Sequence, residues 1–87
     1  MIITGMEDFQ SVCKNRLVKT YNNMFSNGHI NLDNVFIVWA CKTLQNYKAL
    51  ASTNVDGDGV YVEYTYNGDK QELYEDVYLK QLNTKYE

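Results

Sequence analysis

This 87-residue chain contains two cysteines and one histidine, the residue types of a catalytic nucleophile and its general base. Nucleophilic catalysis needs the nucleophile, the base and an orienting group within hydrogen-bonding reach. Cys13 falls in a helical pattern of apolar residues, whereas His29 follows the predicted end of that helix. A structural zinc site needs four ligands, and Cys13, Cys41 and His29 do not supply them. The sequence therefore predicts buried, reduced, unbridged cysteines, no metal site and no catalytic cysteine.

A short acidic stretch resembles the start of a calcium-binding loop. Asn54, Asp56, Asp58 and Gly59 place oxygen ligands at alternate positions before a glycine bend. The bidentate glutamate that closes such a loop is missing, because Thr65 occupies its position. Strand patterns flank the stretch on both sides, where a calcium loop would have helices. We therefore expect a plain hairpin turn and no metal.

Paired carboxylates are the remaining candidates for acid–base chemistry. Glu72 and Asp76 are four residues apart, which places them on one side of a predicted helix. Nothing in their surroundings indicates the desolvation that raises a carboxyl pKa for catalysis. The chain also has no glycine-rich phosphate-binding loop. The sequence therefore predicts a protein that is not an enzyme and that carries no cofactor.

Tyrosine is unusually frequent in this chain. Eight tyrosines are present, at positions 21, 47, 61, 64, 66, 74, 78 and 86. A core of this size does not bury them all, because each buried tyrosine needs a partner for its hydroxyl. Tyrosine and tryptophan are enriched at protein interfaces. Tyr61 lies on the opposite side of its predicted strand from Tyr64 and Tyr66, so one of the two aromatic faces is a candidate contact surface.

Charge is distributed unevenly along the chain. The net charge is −3, and residues 51–87 carry eight acidic and three basic side chains. Such a balance argues against direct nucleic-acid binding, which draws its affinity from Lys and Arg on phosphates. Two interpretations remain open: a solvated acidic face, or a surface that meets a basic partner. On the second interpretation, the predicted protein contact consists of Tyr61, Glu63, Glu72, Glu75 and Asp76.

The first element that must position these residues is an amphipathic helix over about residues 5–27. Six residues recur at spacings of three and four and share one face: Met6, Phe9, Cys13, Leu17, Tyr21 and Met24. Thr4 and Glu7 have the spacing of a capping box at its start. Gly28 has the left-handed freedom that ends a helix. We expect this apolar face to cover a sheet.

Three strands follow in the sequence. Residues 35–43 are apolar on both parities, which predicts a central strand covered on both faces with Trp39 buried. Residues 48–53 carry Ala49 and Ala51 on one face, where a helix can approach closely. Residues 60–66 alternate, with Val60, Val62, Tyr64 and Tyr66 on one face. Short turns between them predict an antiparallel meander.

A second helix is predicted over about residues 70–84. Asp69 and Glu72 have cap-like spacing, and an apolar face follows at Leu73, Tyr74, Val77, Tyr78 and Gln81. The fold class is then α+β: an N-terminal helix, a three-stranded antiparallel meander and a C-terminal helix (αβββα), in a single domain over residues 1–87. No apolar run is long enough to cross a membrane, and no secretory signal is expected.

Two segments carry a resemblance to a known group of proteins. Residues 38–53, VWACKTLQNYKALAST, and residues 66–74, YNGDKQELY, resemble a family of small uncharacterised proteins from phages and prophages of Gram-positive bacteria. The resemblance implies a phage accessory protein acting in the host bacterial cytoplasm. It implies no activity, catalytic residue or ligand. The layout alone is also similar to that of some small acidic anti-CRISPR proteins, although fold does not establish function.

These observations support a non-enzymatic phage protein that binds a host or defence protein with a basic patch, such as an anti-defence inhibitor. A second hypothesis is an oligomer that sequesters a nucleotide signal between subunits. A third is a structural or assembly role in the phage. The target and the oligomeric state do not follow from the sequence.

Overall fold

A computed structural model describes residues 1–25, 28–55 and 59–86. Helix α1 spans Met6–Met24, and a short 3-10 turn at Leu32–Asn34 precedes four strands. The strands are β1 (Val35–Thr43), β2 (Asn46–Thr53), β3 (Val60–Asn67) and β4 (Glu72–Leu79). They form one antiparallel sheet in the order β1-β2-β3-β4. The architecture is therefore αββββ.

The predicted second helix is wrong, because β4 occupies its place. The predicted αβββα order had three strands and a C-terminal helix, whereas Glu72–Leu79 pairs with β3 along its whole length. Leu73, Glu75 and Val77 alternate in burial with more exposed neighbours, which is the period of a strand. The pairs Leu73/Val77 and Tyr74/Tyr78 fit helical spacing as well, so the apolar pattern alone does not decide between the two. β-branched and aromatic side chains favour the strand.

The predicted first helix is confirmed, with different ends. Phe9, Cys13, Leu17 and Tyr21 form its buried stripe, as their spacing predicts. The capping box is wrong: Gly5 is the N-cap with no side-chain cap bond, and Asp8 accepts a hydrogen bond from the Thr4 backbone N–H at 2.9 Å. The helix ends at Met24 with Phe25 as its C-cap, before the predicted Gly28.

Strand β1 is an edge strand, not the predicted central one. Among the described residues it pairs only with β2, and its register shifts at a bulge between Ile37 and Trp39. Trp39 is 45% exposed, so the prediction that it is buried is also wrong. Both faces of β1 carry apolar residues, because the face that points away from α1 carries exposed aromatic side chains. The turn before β2 begins at Leu44, which has a positive φ of 57°.

The core lies between α1 and one face of the sheet. Ala49 and Ala51 of β2 are fully buried there, which confirms that small residues let the helix approach. β3 contributes Val60, Val62, Tyr64 and Tyr66 to the same face, as its alternation predicts. The predicted turn and calcium-like stretch at 56–58 lie outside the described residues.

Candidate functional site

The side of the sheet that faces away from α1 has no element packed on it within the described ranges. We call it the open face. Its residues follow from the strand register, because side chains alternate across a strand and cross-strand partners share a face. Tyr61, Glu63 and Thr65 of β3 point away from the buried Val62 and Tyr64 and therefore lie on the open face.

Cross-strand pairing arranges the open face in three rows, each crossing all four strands. The first row is Phe36, Ser52, Tyr61 and Tyr78. The second row is Trp39, Leu50, Glu63 and Asp76. The third row is Cys41, Lys48, Thr65 and Tyr74. Bulky aromatic side chains and carboxylates are thus neighbours on one surface.

Five aromatic residues of the open face are substantially exposed. We call them the aromatic patch: Phe36, Trp39, Tyr61, Tyr74 and Tyr78, each between 44% and 55% accessible. Isolated exposed apolar residues are ordinary, whereas several large ones on one sheet face form a candidate interaction surface. Tyr61 and Tyr78 are direct cross-strand partners, and each is within two rows of every other member. Packing within this sheet and helix therefore does not account for the patch.

Carboxylates lie among these aromatic residues. Glu63 and Asp76 are direct cross-strand partners, an arrangement that is unfavourable for two like charges. Lys48 neutralises Glu63 through a contact of 3.1 Å between its Nζ and Glu63 Oε1. Among the described residues, Asp76 has no such cation. The open face therefore carries an unbalanced negative charge beside the patch.

Glu72 lies at the end of the open face and is already engaged. The Tyr74 hydroxyl donates a hydrogen bond of 2.6 Å to Glu72 Oε2. This hydrogen bond and the negative charge of Glu72 raise the pKa of Tyr74 above its usual value. The phenol therefore stays protonated and acts as a donor at neutral pH.

The five predicted contact residues do not all lie together. Tyr61, Glu63, Glu72 and Asp76 are on the open face, because each has the strand parity of that face. Glu75 points to the opposite side, toward α1. The sequence reasoning missed the four other members of the aromatic patch as a group. The two-residue alternation of 72–79 was the signal for Tyr74 and Tyr78.

Glu75 belongs to a polar network under α1. Its carboxylate accepts hydrogen bonds from Thr20 Oγ1 at 2.8 and 2.9 Å and from the Tyr64 hydroxyl at 2.6 Å. Burial and then this hydrogen bond raise the pKa of Tyr64. Burial and the nearby charge of Glu75 raise the pKa of the Cys13 thiol to about 12. These groups stay protonated at neutral pH, so the network fastens the helix to β4 and supplies no nucleophile.

The remaining chemical candidates are separated in the structure. Cys13 is buried and His29 is exposed, so the formal nucleophile–base pair has no shared cleft. Both cysteines are free, but Cys41 is exposed on the open face, so the prediction that it is buried is wrong. Within the described ranges no group of three or more His, Cys, Asp or Glu side chains converges on a metal position. No described helix is long and apolar enough to cross a membrane.

A wide depression of about 590 Å³ lies at the end of the sheet where the β1–β2 and β3–β4 turns meet. Lys42, Gln45 and Gln71 contribute polar groups to its wall, and Tyr66 lies at its base. The Tyr66 hydroxyl donates to the Met1 carbonyl at 2.8 Å, and the Gln45 side chain donates to Asp69. The Tyr66 hydroxyl and the Gln45 side chain are thus already hydrogen-bonded within the protein. Lys42 is the cationic side chain in the wall of the depression.

Comparison with known proteins identifies a family whose function is unknown. No curated protein and no solved structure matches this chain significantly. A family model described as a family of unknown function, DUF6275, matches residues 10–87, which include most of α1 and all four strands. The chain belongs to the DUF6275 family of unknown function.

Proposed function

We propose that this chain is a non-enzymatic binding protein whose open face contacts a partner protein that presents a basic surface. The observation that carries the proposal is the aromatic patch, in which five large side chains share one uncovered sheet face. Aromatic residues dominate the energetics of protein interfaces because they bury large areas at a low cost in conformational entropy. The partner's basic character follows from Asp76, whose charge no cation balances among the described residues.

The open face suits a protein better than a nucleic acid. Exposed aromatic residues on a sheet can stack bases, but such surfaces also need cations for the phosphates. Lys48 is the one cation among the three rows, and Glu63 already neutralises it. Asp76 and Glu72 would repel a phosphate backbone. The same charges attract lysine or arginine side chains of a protein, and arginine also stacks on tyrosine and tryptophan.

The biological setting of the proposal rests on the resemblance of residues 38–53 and 66–74 to phage and prophage proteins. On that basis the chain is a phage accessory protein in the host bacterial cytoplasm. Its partner is then a host or defence protein, and the binding inhibits that protein's function. The acidic open face would occupy a basic surface that the partner otherwise uses, a mode in which electrostatic complementarity guides association.

The test starts from capture of partners from phage-infected cells and ends with purified components. The chain and an open-face variant, Tyr78→Ser/Asp76→Lys, serve as parallel baits. A protein retained by the first and not the second is purified, and its affinity for each is measured by calorimetry. We expect the variant to lose at least about tenfold in affinity, which corresponds to about 1.4 kcal/mol. Binding of the unaltered chain should weaken with added salt.

A charge-matched control separates the open face from net charge. Glu7→Lys makes the same change of charge on the exposed first turn of α1, away from the open face. We expect this variant to bind within about twofold of the unaltered chain, because rim or remote charges contribute little. Equal losses in both variants, or full affinity in Tyr78→Ser/Asp76→Lys with unchanged circular dichroism, would contradict the proposal.

A further inference from the structure

The chain that follows β4 carries apolar side chains that the structure leaves in solvent. Residues 80–86, here called the tail segment, are all exposed. Leu82 is 80% exposed and Tyr86 is 92% exposed. The segment also contains Lys80 and Lys85 and no acidic residue. It is therefore an exposed, apolar and basic stretch.

The tail segment and the open face have complementary composition. The open face offers the aromatic patch together with Asp76, which lacks a cation among the described residues. The tail segment offers two large apolar side chains and Lys85, whereas Lys80 is held beside Gly59 of its own sheet. Two open faces, in contrast, would not suit each other, because each carries Glu63, Glu72 and Asp76 against Lys48 and, at the end of β4, Lys80. Like charges would oppose one another in a face-to-face pair.

Geometry favours the open face of a second copy over that of the same chain. The Lys80 backbone N–H donates to the Gly59 carbonyl at 2.9 Å, which continues the direction of β4 beyond Leu79. Residues 80–86 are all exposed in the structure, so the tail segment does not pack on the open face of its own chain. Leu82 and Tyr86, which are 80% and 92% exposed, are accessible to another copy.

Length allows the contact between copies. Six extended residues after Lys80 reach about 20 Å at roughly 3.3 Å each. Four strands spaced about 4.8 Å apart span about 14 Å from the first to the last. One tail segment is therefore long enough to cross all four strands of another copy.

We propose that the tail segment of one copy lies across the open face of a second copy, with Leu82 and Tyr86, which share one side of an extended chain, on the aromatic patch, and with the long side chain of Lys85 reaching around the edge of the segment toward Asp76. A two-fold pair makes this contact twice, since each copy supplies one tail segment and one open face. The proposal goes beyond the partner-binding function because it needs only this chain. A foreign partner that uses the open face must then displace the tail segment.

Trp39 reports the contact directly. It is the one tryptophan of the chain and lies in the aromatic patch. Sedimentation velocity and Trp39 emission are measured on the full chain from low micromolar to several hundred micromolar concentrations. We expect a monomer–dimer transition, with the emission shifting to shorter wavelength over the same concentration range. The tail variant Leu82→Ser/Tyr86→Ser should remain monomeric with constant emission, whereas the control Thr84→Ser should behave like the unaltered chain.

A charge exchange tests the pairing of Lys85 with Asp76. Asp76→Lys alone should weaken the dimer by about an order of magnitude, and adding Lys85→Asp should restore most of the loss. A peptide of residues 80–87 titrated into the tail variant should shift Trp39 emission to shorter wavelength.

Three results would overturn the proposal. The first is a full chain that stays monomeric at every concentration. The second is a short-wavelength emission that does not depend on concentration and disappears in the tail variant, which would place the tail segment on its own open face. The third is a tail variant that still dimerises. Any of these can occur while the open face still binds a foreign partner, so failure here is distinguishable from failure of the proposed function.

Discussion

Glu75 and Asp76 are adjacent acidic residues that should respond very differently to replacement by alanine. Glu75 accepts hydrogen bonds from Thr20 and Tyr64 beneath α1, whereas Asp76 is exposed on the open face. A helix over residues 70–84 would have exposed both carboxylates to solvent. The stability of the two variants therefore distinguishes strand β4 from the helix that the sequence pattern favoured.

The magnitude follows from the network. Tyr64 is fully buried, and hydrogen bonds to charged groups contribute about 1.5–3 kcal/mol. The part-buried bond from Thr20 adds about 1 kcal/mol. Removal of the carboxylate also relieves about 1 kcal/mol of desolvation, because Glu75 is only partly buried. Glu75→Ala should therefore lower the free energy of unfolding by about 1.5–3 kcal/mol, or the Tm by about 6–24 °C.

Urea unfolding followed by circular dichroism, at low micromolar protein concentration, provides the measurement. Asp76→Ala is the control and should change the free energy of unfolding by at most about 0.5 kcal/mol. Tyr64→Phe combined with Glu75→Ala should cost less than the sum of the single changes, because both remove the same hydrogen bond. Equal losses in Glu75→Ala and Asp76→Ala would refute the placement of Glu75 under the helix.

Three further outcomes are expected. Gly68→Ala should destabilise the fold by about 2 kcal/mol or more, measured by urea unfolding, because a Cβ there would collide with the Gln45 carbonyl oxygen. A thiol reagent should modify Cys41 rapidly in the native protein and Cys13 only after unfolding, as counted by mass spectrometry. Stability should fall above about pH 8.5, where the unfolded chain begins to release protons from Cys13 and Tyr64 that the fold retains. The retained protons contribute fully to the free energy of unfolding below that pH, and this contribution is lost as the pH rises toward the pKa of about 12 for Cys13. Cys13→Ala should therefore make the free energy of unfolding fall less steeply with alkaline pH in a series of urea titrations.

Local patterns predicted much of the fold correctly. The spacing of Phe9, Cys13, Leu17 and Tyr21 predicted the buried stripe of α1, and the alternation of β3 predicted its two faces. Both patterns depend only on the periodicity of one helix or strand and on which of its faces is buried. The order of the strands in the sheet depends instead on contacts between segments that are far apart in the sequence. The local periodicity of one element carries no information about those contacts.

Strand β1 shows where this reasoning fails. Apolar residues on both parities are typical of a strand covered on both faces, and Trp39 was predicted to be buried for that reason. In the structure β1 is an edge strand, and Phe36 and Trp39 are exposed members of the aromatic patch. A functional surface and a buried surface have similar composition, so residue type alone did not separate them.

Four of the five predicted contact residues lie on one sheet face although the predicted secondary structure was wrong, and the reason is physical. Tyr61, Glu63, Glu72 and Asp76 were chosen as polar or amphipathic residues outside the apolar stripe, and such residues avoid the core in a strand as in a helix. Glu75 was the exception, because its neighbours Leu73 and Val77 share its strand parity and draw it under α1. The hydroxyls of Thr20 and Tyr64 donate hydrogen bonds to the carboxylate and so stabilise it at that position.

The change from helix to strand at residues 72–79 also alters what the fold can cover. Helix α1 has 19 residues and is about 28 Å long, which matches an eight-residue strand of about 26 Å. It therefore covers one face of the sheet. The predicted second helix could have covered the other face. With β4 in place of that helix, the described chain has no further helix to lay on the open face. The aromatic patch then stays in solvent unless another molecule covers it, which is why both proposals concern the same surface and differ only in what occupies it.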